Sequence, residues 1–338
     1  MQARKAKSIG SERDMSTARI EPLRLVESEL AAVELKLSSL LDSNESLIAE
    51  ICHYLVDGGG KRLRPTFILL VYRACGGRDE TLEDAVDASI ALELIHSATL
   101  LHDDIIDRGL LRRGKPSAFA RYGFGPTLIA GDYLFCRAFD LCGRFEAHLI
   151  RTAAQACIQL SEGEVMEGRF RHNTKATMDD YMAVITRKTA SLFAAGGRVA
   201  ADLAGAPQRT IEAAAMLGTT IGLAFQMVDD LLDILGPEEK IGKPVGSDLR
   251  AGIPSLPVVL GVERNVELRT LFRNGALADG TAFDRALQLL RDPPLVNEAR
   301  ALARGQIDAA RQLLAELTPS LYREGLATLI DEQLDREV

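Results

Sequence analysis

The sequence predicts an all-α protein folded as one domain. Three observations predict it. The 338 residues are 47% hydrophobic yet only 5% aromatic, with no Trp, and the dominance of Ala and Leu favours helices. Gly and Pro punctuate long segments of helical period. No run of alternating β-branched residues marks a strand. A chain of this length can bury a large core, and no linker divides it. Residues 1–19 are polar and basic and read as a flexible N-terminal tail, with Met15 a second candidate start. Residues 20–338 read as the single domain.

The elements follow in order. Residues 20–56 suit one or two amphipathic helices, with Leu23, Leu25, Leu30, Val33, Leu35 and Leu37 supplying apolar faces. Gly58-Gly59-Gly60 breaks the pattern. A helix from Thr66 to Ala74 stops at Gly76-Gly77. Thr81-Leu82-Glu83-Asp84 suits a helix start, and the helix continues through Leu92, Ile95 and Ala98. Gly109 to Gly125 reads as a loop. Helices resume over 126–142, 145–168 and 178–204, and from Thr210 past Asp229. A Gly- and Lys-bearing loop covers 236–248, and further helices fill 255–338.

Chemistry enters with Asp103-Asp104-Ile105-Ile106-Asp107 and Asp229-Asp230-Leu231-Leu232-Asp233. Both read Asp-Asp-x-x-Asp, and both follow apolar residues. On a helix, Asp103 and Asp107 leave one face, as do Asp229 and Asp233. Like charges so spaced repel, and holding them against an apolar wall requires partners. Hard divalent cations supply them. Magnesium fits, because it is held by carboxylates, phosphate oxygens and retained waters.

The net charge is −8 and the pI about 5.3, which argues against nucleic acid as partner. Basic clusters therefore stand out. Lys61 and Arg64 follow three glycines, Arg112-Arg113 comes shortly after Asp107, Lys188 precedes Thr189, and Lys243 lies beyond the second acidic run. Such groups suit oxyanions. His96 lies seven residues before Asp103. Five cysteines without CxxC spacing read as reduced thiols of a cytoplasmic protein. No secretory signal and no uninterrupted apolar span are apparent; peripheral membrane contact stays open for a greasy product.

Together these residues have a specific resemblance. Gly59-Gly60-Lys61-Arg62-Leu63-Arg64-Pro65, Glu93 through Asp104, Arg112-Arg113-Gly114, Gly163-Glu164, Lys188-Thr189-Ala190 and Phe225 through Asp230 resemble, in order, the trans-isoprenyl diphosphate synthases, and among them the long-chain all-trans polyprenyl branch. The resemblance implies a bundle around a deep central cavity, a homodimer, and about three magnesium ions per site. It implies that Asp103, Asp107 and Asp229 hold the metal, with Asp104, Asp230 and Asp233 in support. Arg112, Lys188, Thr189, Gln226 and Lys243 would grip the allylic diphosphate. Lys61, Arg64, His96 and Arg113 would hold isopentenyl diphosphate.

Product length should depend on what blocks the cavity below the first acidic run. Residues one turn before Asp103 lie about 6–8 Å deeper, and there stand Ala98 and Thr99. Shorter-product members resemble this chain but tend to carry an aromatic plug at that depth. The small residues imply a product longer than farnesyl and geranylgeranyl diphosphate. Ile150, Ala154 and Ile158 are candidates for a deeper floor. Two positions depart from the family pattern. Ile253 stands where a lysine is frequent, and Glu167 where a glutamine is common. Other readings are a geranylgeranyl or farnesyl diphosphate synthase, a class I terpene cyclase, and a non-catalytic partner subunit. The intact second motif and the Lys61, Arg64 and His96 set argue against the last two.

Overall fold

The computed structural model describes residues 21–236, 244–273 and 280–335; the tail expected over 1–19 lies outside them. Its helices of eight or more residues are α1 (Glu27–Leu40), α2 (Ser46–Val56), α3 (Leu63–Ala74), α4 (Leu82–Ile106), α5 (Phe124–Cys142), α6 (Ala147–Phe170), α7 (Met178–Ile185), α8 (Ser191–Leu203), α9 (Gln208–Leu235), α10 (Leu256–Arg264), α11 (Val266–Arg273), α12 (Thr281–Leu290), α13 (Pro293–Leu313) and α14 (Leu321–Asp335). The fold is the expected all-α bundle. α4 lies along α5, α8 along α9, and α13 packs on α9.

α4 and α9, which carry the acidic runs, are core helices. α4 is buried almost all round, from Ala85 to Leu101. α9 is the one described helix long and apolar enough to cross a membrane, but most of its apolar window is covered by the protein itself. Three glycines bring α8 and α9 together. A Cβ at Gly197 would lie 2.2 Å from the Ala214 carbonyl oxygen, and one at Gly218 2.2 Å from that of Phe193. At Gly222 it would lie 2.6 Å from Ala190 Cα. Backbone cannot yield as a flexible side chain can, so only Gly permits this approach.

Several expectations needed revision. The apolar face of α1 buries Val33 and Leu37, but Leu35 is 79% exposed and Leu23 52%. Thr81 precedes α4 yet makes no side-chain cap; its hydroxyl meets Tyr72 Oη at 2.6 Å. The 109–125 loop contains a small hairpin, Leu111–Arg112 paired with Lys115–Pro116, and a short helix Ala118–Tyr122. The segment 178–204 is split between α7 and α8 by a π-turn over Thr186–Ala190. Ile158 is 51% exposed, because α6 turns Leu149, Ala153, Ala156 and Gly163 inward. Of the deeper floor expected from Ile150, Ala154 and Ile158, only Ile158 is exposed; Ile150 and Ala154 are half-buried.

Candidate active site

One cavity of about 170 Å³ is lined by Asp107 from the first acidic run and by Asp229 and Asp230 from the second. Lys188, Thr189, Gln226, Glu167, Asp248 and Ile253 also line it. The two motifs thus face one space. Asp103 sits one turn inward of Asp107 on α4. Its carboxyl is pushed up to about 7 by burial and by Glu164 and Asp107, against the pull of Lys188 and Arg112.

Lys188 is central to the opposing charge. Its ammonium lies 2.7 Å from Glu164 and 2.6 Å from Glu167. Burial alone would lower its pKa, but Glu167, Asp103 and Glu164 outweigh burial and raise it. The π-turn that bears Lys188 and Thr189 is a local widening of the helix, a form that recurs at functional sites. Gly163 makes room for it: a Cβ there would fall 2.5 Å from the Lys188 backbone nitrogen. Thr189 donates to Gln226 Oε1 at 2.8 Å, and Gln226 Nε2 donates to Asp230 at 2.8 Å. The α8–α9 approach is what brings this pair within reach.

The remaining motif aspartates are tied to protein donors. Asp104 is buried, accepts from Arg112 Nε at 2.7 Å and from the Ala118 N–H, and so anchors the hairpin. Asp230 accepts from Tyr181 Oη, Gln226 Nε2 and the Leu256 N–H. Asp233 accepts from Ser247 Oγ at 2.6 Å and from the Asp248 N–H. Buried carboxylates with such donors brace the loops after each motif.

A basic pocket stands beside the acidic one. Burial and the charges of Arg64, Arg112, Arg113 and Arg62 hold the His96 imidazole well below its usual pKa. Of these four guanidinium groups, Arg62 is paired with Glu34 and Glu93 and Arg112 with Asp104. Arg64 is stacked over Phe193, 4.7 Å from the ring centre, and feels both Glu93 and Asp229. It therefore links the basic pocket to the second acidic run. Its Nε is buried without a hydrogen-bond partner.

Lys61 is exposed in the loop before α3, and Lys243 lies outside the described residues. Ala98 is fully covered and Thr99 nearly so, its hydroxyl donating to the His96 carbonyl oxygen. Reading motifs alone missed Arg62, Tyr181, Asp248 and the clamp role of Glu164 and Glu167. Arg62 and Glu164 stood inside recognisable segments. Tyr181 and Asp248 carry no local signal, since only folding brings them to Asp230.

The residues fit a divalent cation. Among the described residues no three His, Cys, Asp or Glu side chains are gathered closely enough to hold an ion alone. Magnesium rarely uses such a cage; it completes its shell with phosphate oxygens and water. The charged form of the Asp103 carboxyl, disfavoured chiefly by burial and further by Glu164 and Asp107, is what a cation would relieve.

Residues 45–288 match the sequence pattern of the family described as polyprenyl synthetase. The chain belongs to that family. It is a trans-isoprenyl diphosphate synthase, a prenyltransferase that forms prenyl diphosphates. The synthase is 33% identical over 290 residues to a geranylgeranyl diphosphate synthase of Methanosarcina mazei, covering 84% of this chain and 88% of the relative. It is 32% identical over 314 residues to an all-trans-nonaprenyl-diphosphate synthase of Rhodobacter capsulatus, covering 92% and 96%. A polyprenyl synthase structure from Caulobacter crescentus, complexed with calcium and isoprenyl diphosphate, superposes with a TM-score of 0.88 at 33% identity, covering 94% of this chain and 97% of that one.

Proposed function

We propose that the synthase catalyses magnesium-dependent head-to-tail (1′-4) condensation of isopentenyl diphosphate with an allylic prenyl diphosphate, giving a long-chain all-trans polyprenyl diphosphate. The observation that carries this reading is the shared cavity of Asp107, Lys188 and Asp229 beside the guanidinium cluster around His96. One acidic and one basic pocket suit two diphosphates bound differently.

Asp103, Asp107 and Asp229 would hold the metal, and Arg112, Lys188, Thr189 and Gln226 the allylic diphosphate. Lys61, Arg64, His96 and Arg113 would hold isopentenyl diphosphate. Bound magnesium supplies charge neutralisation on the diphosphate oxygens. Lys188 faces the departing group, where negative charge develops as the C1–O bond breaks. The pyrophosphate leaves with the bonding pair, and an allylic cation remains. Arg64 and Arg113 keep the second substrate near it, so that C4 of its double bond attacks C1. The adduct then loses a proton from C2 to the pyrophosphate, and no protein base is required.

The test incubates the protein with magnesium, labelled isopentenyl diphosphate and farnesyl diphosphate. Long polyprenyl diphosphates are expected; no product longer than the primer defeats the reading, and a cyclised hydrocarbon replaces it with a cyclase. The small side chains of Ala98 and Thr99, which put no aromatic plug one turn before Asp103, are what favours a long product. Ala98→Phe should shorten it by one or more isoprene units, and an unchanged length would refute the floor.

A homodimer belongs to this reading. Ile129 and Phe139 on α5 are 52% and 41% exposed, and Ile158 and Val165 on α6 are 51% and 67% exposed. Exposed apolar residues on both helices suit a second copy. The five free cysteines support a cytoplasmic location.

A further inference from the structure

Arg171 belongs to no motif, yet its guanidinium pairs with Asp107. It stands where α6 ends, with the backbone already extended. The next residue, His172, adopts φ +57° and donates its N–H to the Gly252 carbonyl oxygen at 2.7 Å. The His172 ring packs on Phe272 at 5.8 Å between centres. It also covers Gly252 so closely that a Cβ there, at φ +70°, would lie 2.3 Å away. The root of Arg171 is thus pinned to the turn Gly252-Ile253-Pro254, while its tip reaches the end of the first acidic run.

This puts a positive charge at the rim of the cavity. Phe170, Asp107, Ile253 and Pro254 all line that space, and Ile253 brings it no charge. The lining is rich in acid, with Asp107, Glu167, Asp180, Asp229, Asp230 and Asp248. The pair with Asp107 is partly exposed, at 29% and 36% for the two side chains. Such pairs are weak. A divalent cation held by Asp107 and substrate phosphate would compete with the guanidinium for this carboxylate. The freed fork then faces phosphate oxygens, which it can meet with two parallel bonds.

We propose that Arg171 is a further substrate-gripping residue with two stations. Before loading it rests on Asp107 and keeps that carboxylate paired. Once metal takes Asp107, it turns to the allylic diphosphate and provides at the rim the charge that Ile253 lacks. This deepens the proposed function and rests on it.

The test uses the full chain with Arg171→Met, which keeps the apolar stem and leaves the His172–Gly252 bond untouched, and with Arg171→Lys. Calorimetry measures magnesium binding to the free protein, and kinetics measures KM for each diphosphate. Losing the competing cation should tighten magnesium alone by about two- to fivefold. Losing a charge-assisted bond should raise KM for the allylic diphosphate by about tenfold or more, with KM for isopentenyl diphosphate unchanged. Lys should recover part of that affinity. The opposite signs separate the proposal from a merely structural role, under which magnesium and diphosphate would weaken together. That joint weakening, or no change in either, overturns it. An inactive wild-type protein would instead overturn the function itself.

Discussion

Asp103→Asn abolishes turnover while the metal-free protein unfolds at the same or a higher temperature. Removing a group that stabilises developing charge lowers kcat by about 10²–10³, and a lost metal ligand falls at or beyond that end. The stability result follows from the site's own electrostatics. The carboxyl of Asp103 is pushed from 3.8 up to about 7, chiefly by burial. Between those values the folded protein holds a proton that the unfolded chain has released. Native stability contributed by this group is therefore full below about pH 4 and lost as pH rises through about 7. Asn cannot ionise and has no such loss. Melting temperatures in chelator at pH 5 and pH 8 check it, together with the labelled-product assay. Retained activity, or a variant that is less stable at pH 8, would contradict the account.

Lys188→Met moves stability the other way while also stopping the reaction. The ammonium lies within 2.7 Å of Glu164 and 2.6 Å of Glu167, and its removal leaves two largely covered carboxylates unpaired. Breaking a buried pair is strongly destabilising; residual solvent contact puts the loss here at roughly 2–4 kcal/mol. Burial already raises the Glu167 pKa despite the lysine, and removing the lysine takes away the charge that opposes that rise. Turnover should fall by about 10²–10³, because the leaving pyrophosphate loses a preorganised cation. Denaturant midpoints and single-turnover rates measure the two effects. A stable Lys188→Met variant would mean that the clamp contributes nothing to the fold.

Both substitutions address the same cavity, yet they rest on different kinds of information. The acidic runs could be recognised from spacing alone, because i and i+4 on a helix fixes a shared face for Asp103 and Asp107. The basic segments holding Arg64 and Arg113 were recognisable because they stand out from an acidic chain. The clamp on Lys188 was not. Glu164 and Glu167 stand on α6 and Lys188 on a π-turn beyond α7, and only the close approach at Gly163 joins them. Apolar periodicity misled at Leu35 and Ile158, where a residue of core type faces outward. Pattern marks apolar residues, and only packing decides which of them is covered.

The sequence by itself determined the helical class, the breaks at Gly58-Gly59-Gly60 and Gly76-Gly77, and the chemistry of two aspartate runs, since these depend on period and residue type. Tertiary structure alone decided that Asp107 and Asp229 line one cavity, that Asp104, Asp230 and Asp233 brace loops, and that Arg171 reaches Asp107. Those are distances between segments far apart along the chain. They are fixed by side-chain volume at crossings such as Gly197, Gly218 and Gly222, where one added carbon would push α8 and α9 apart.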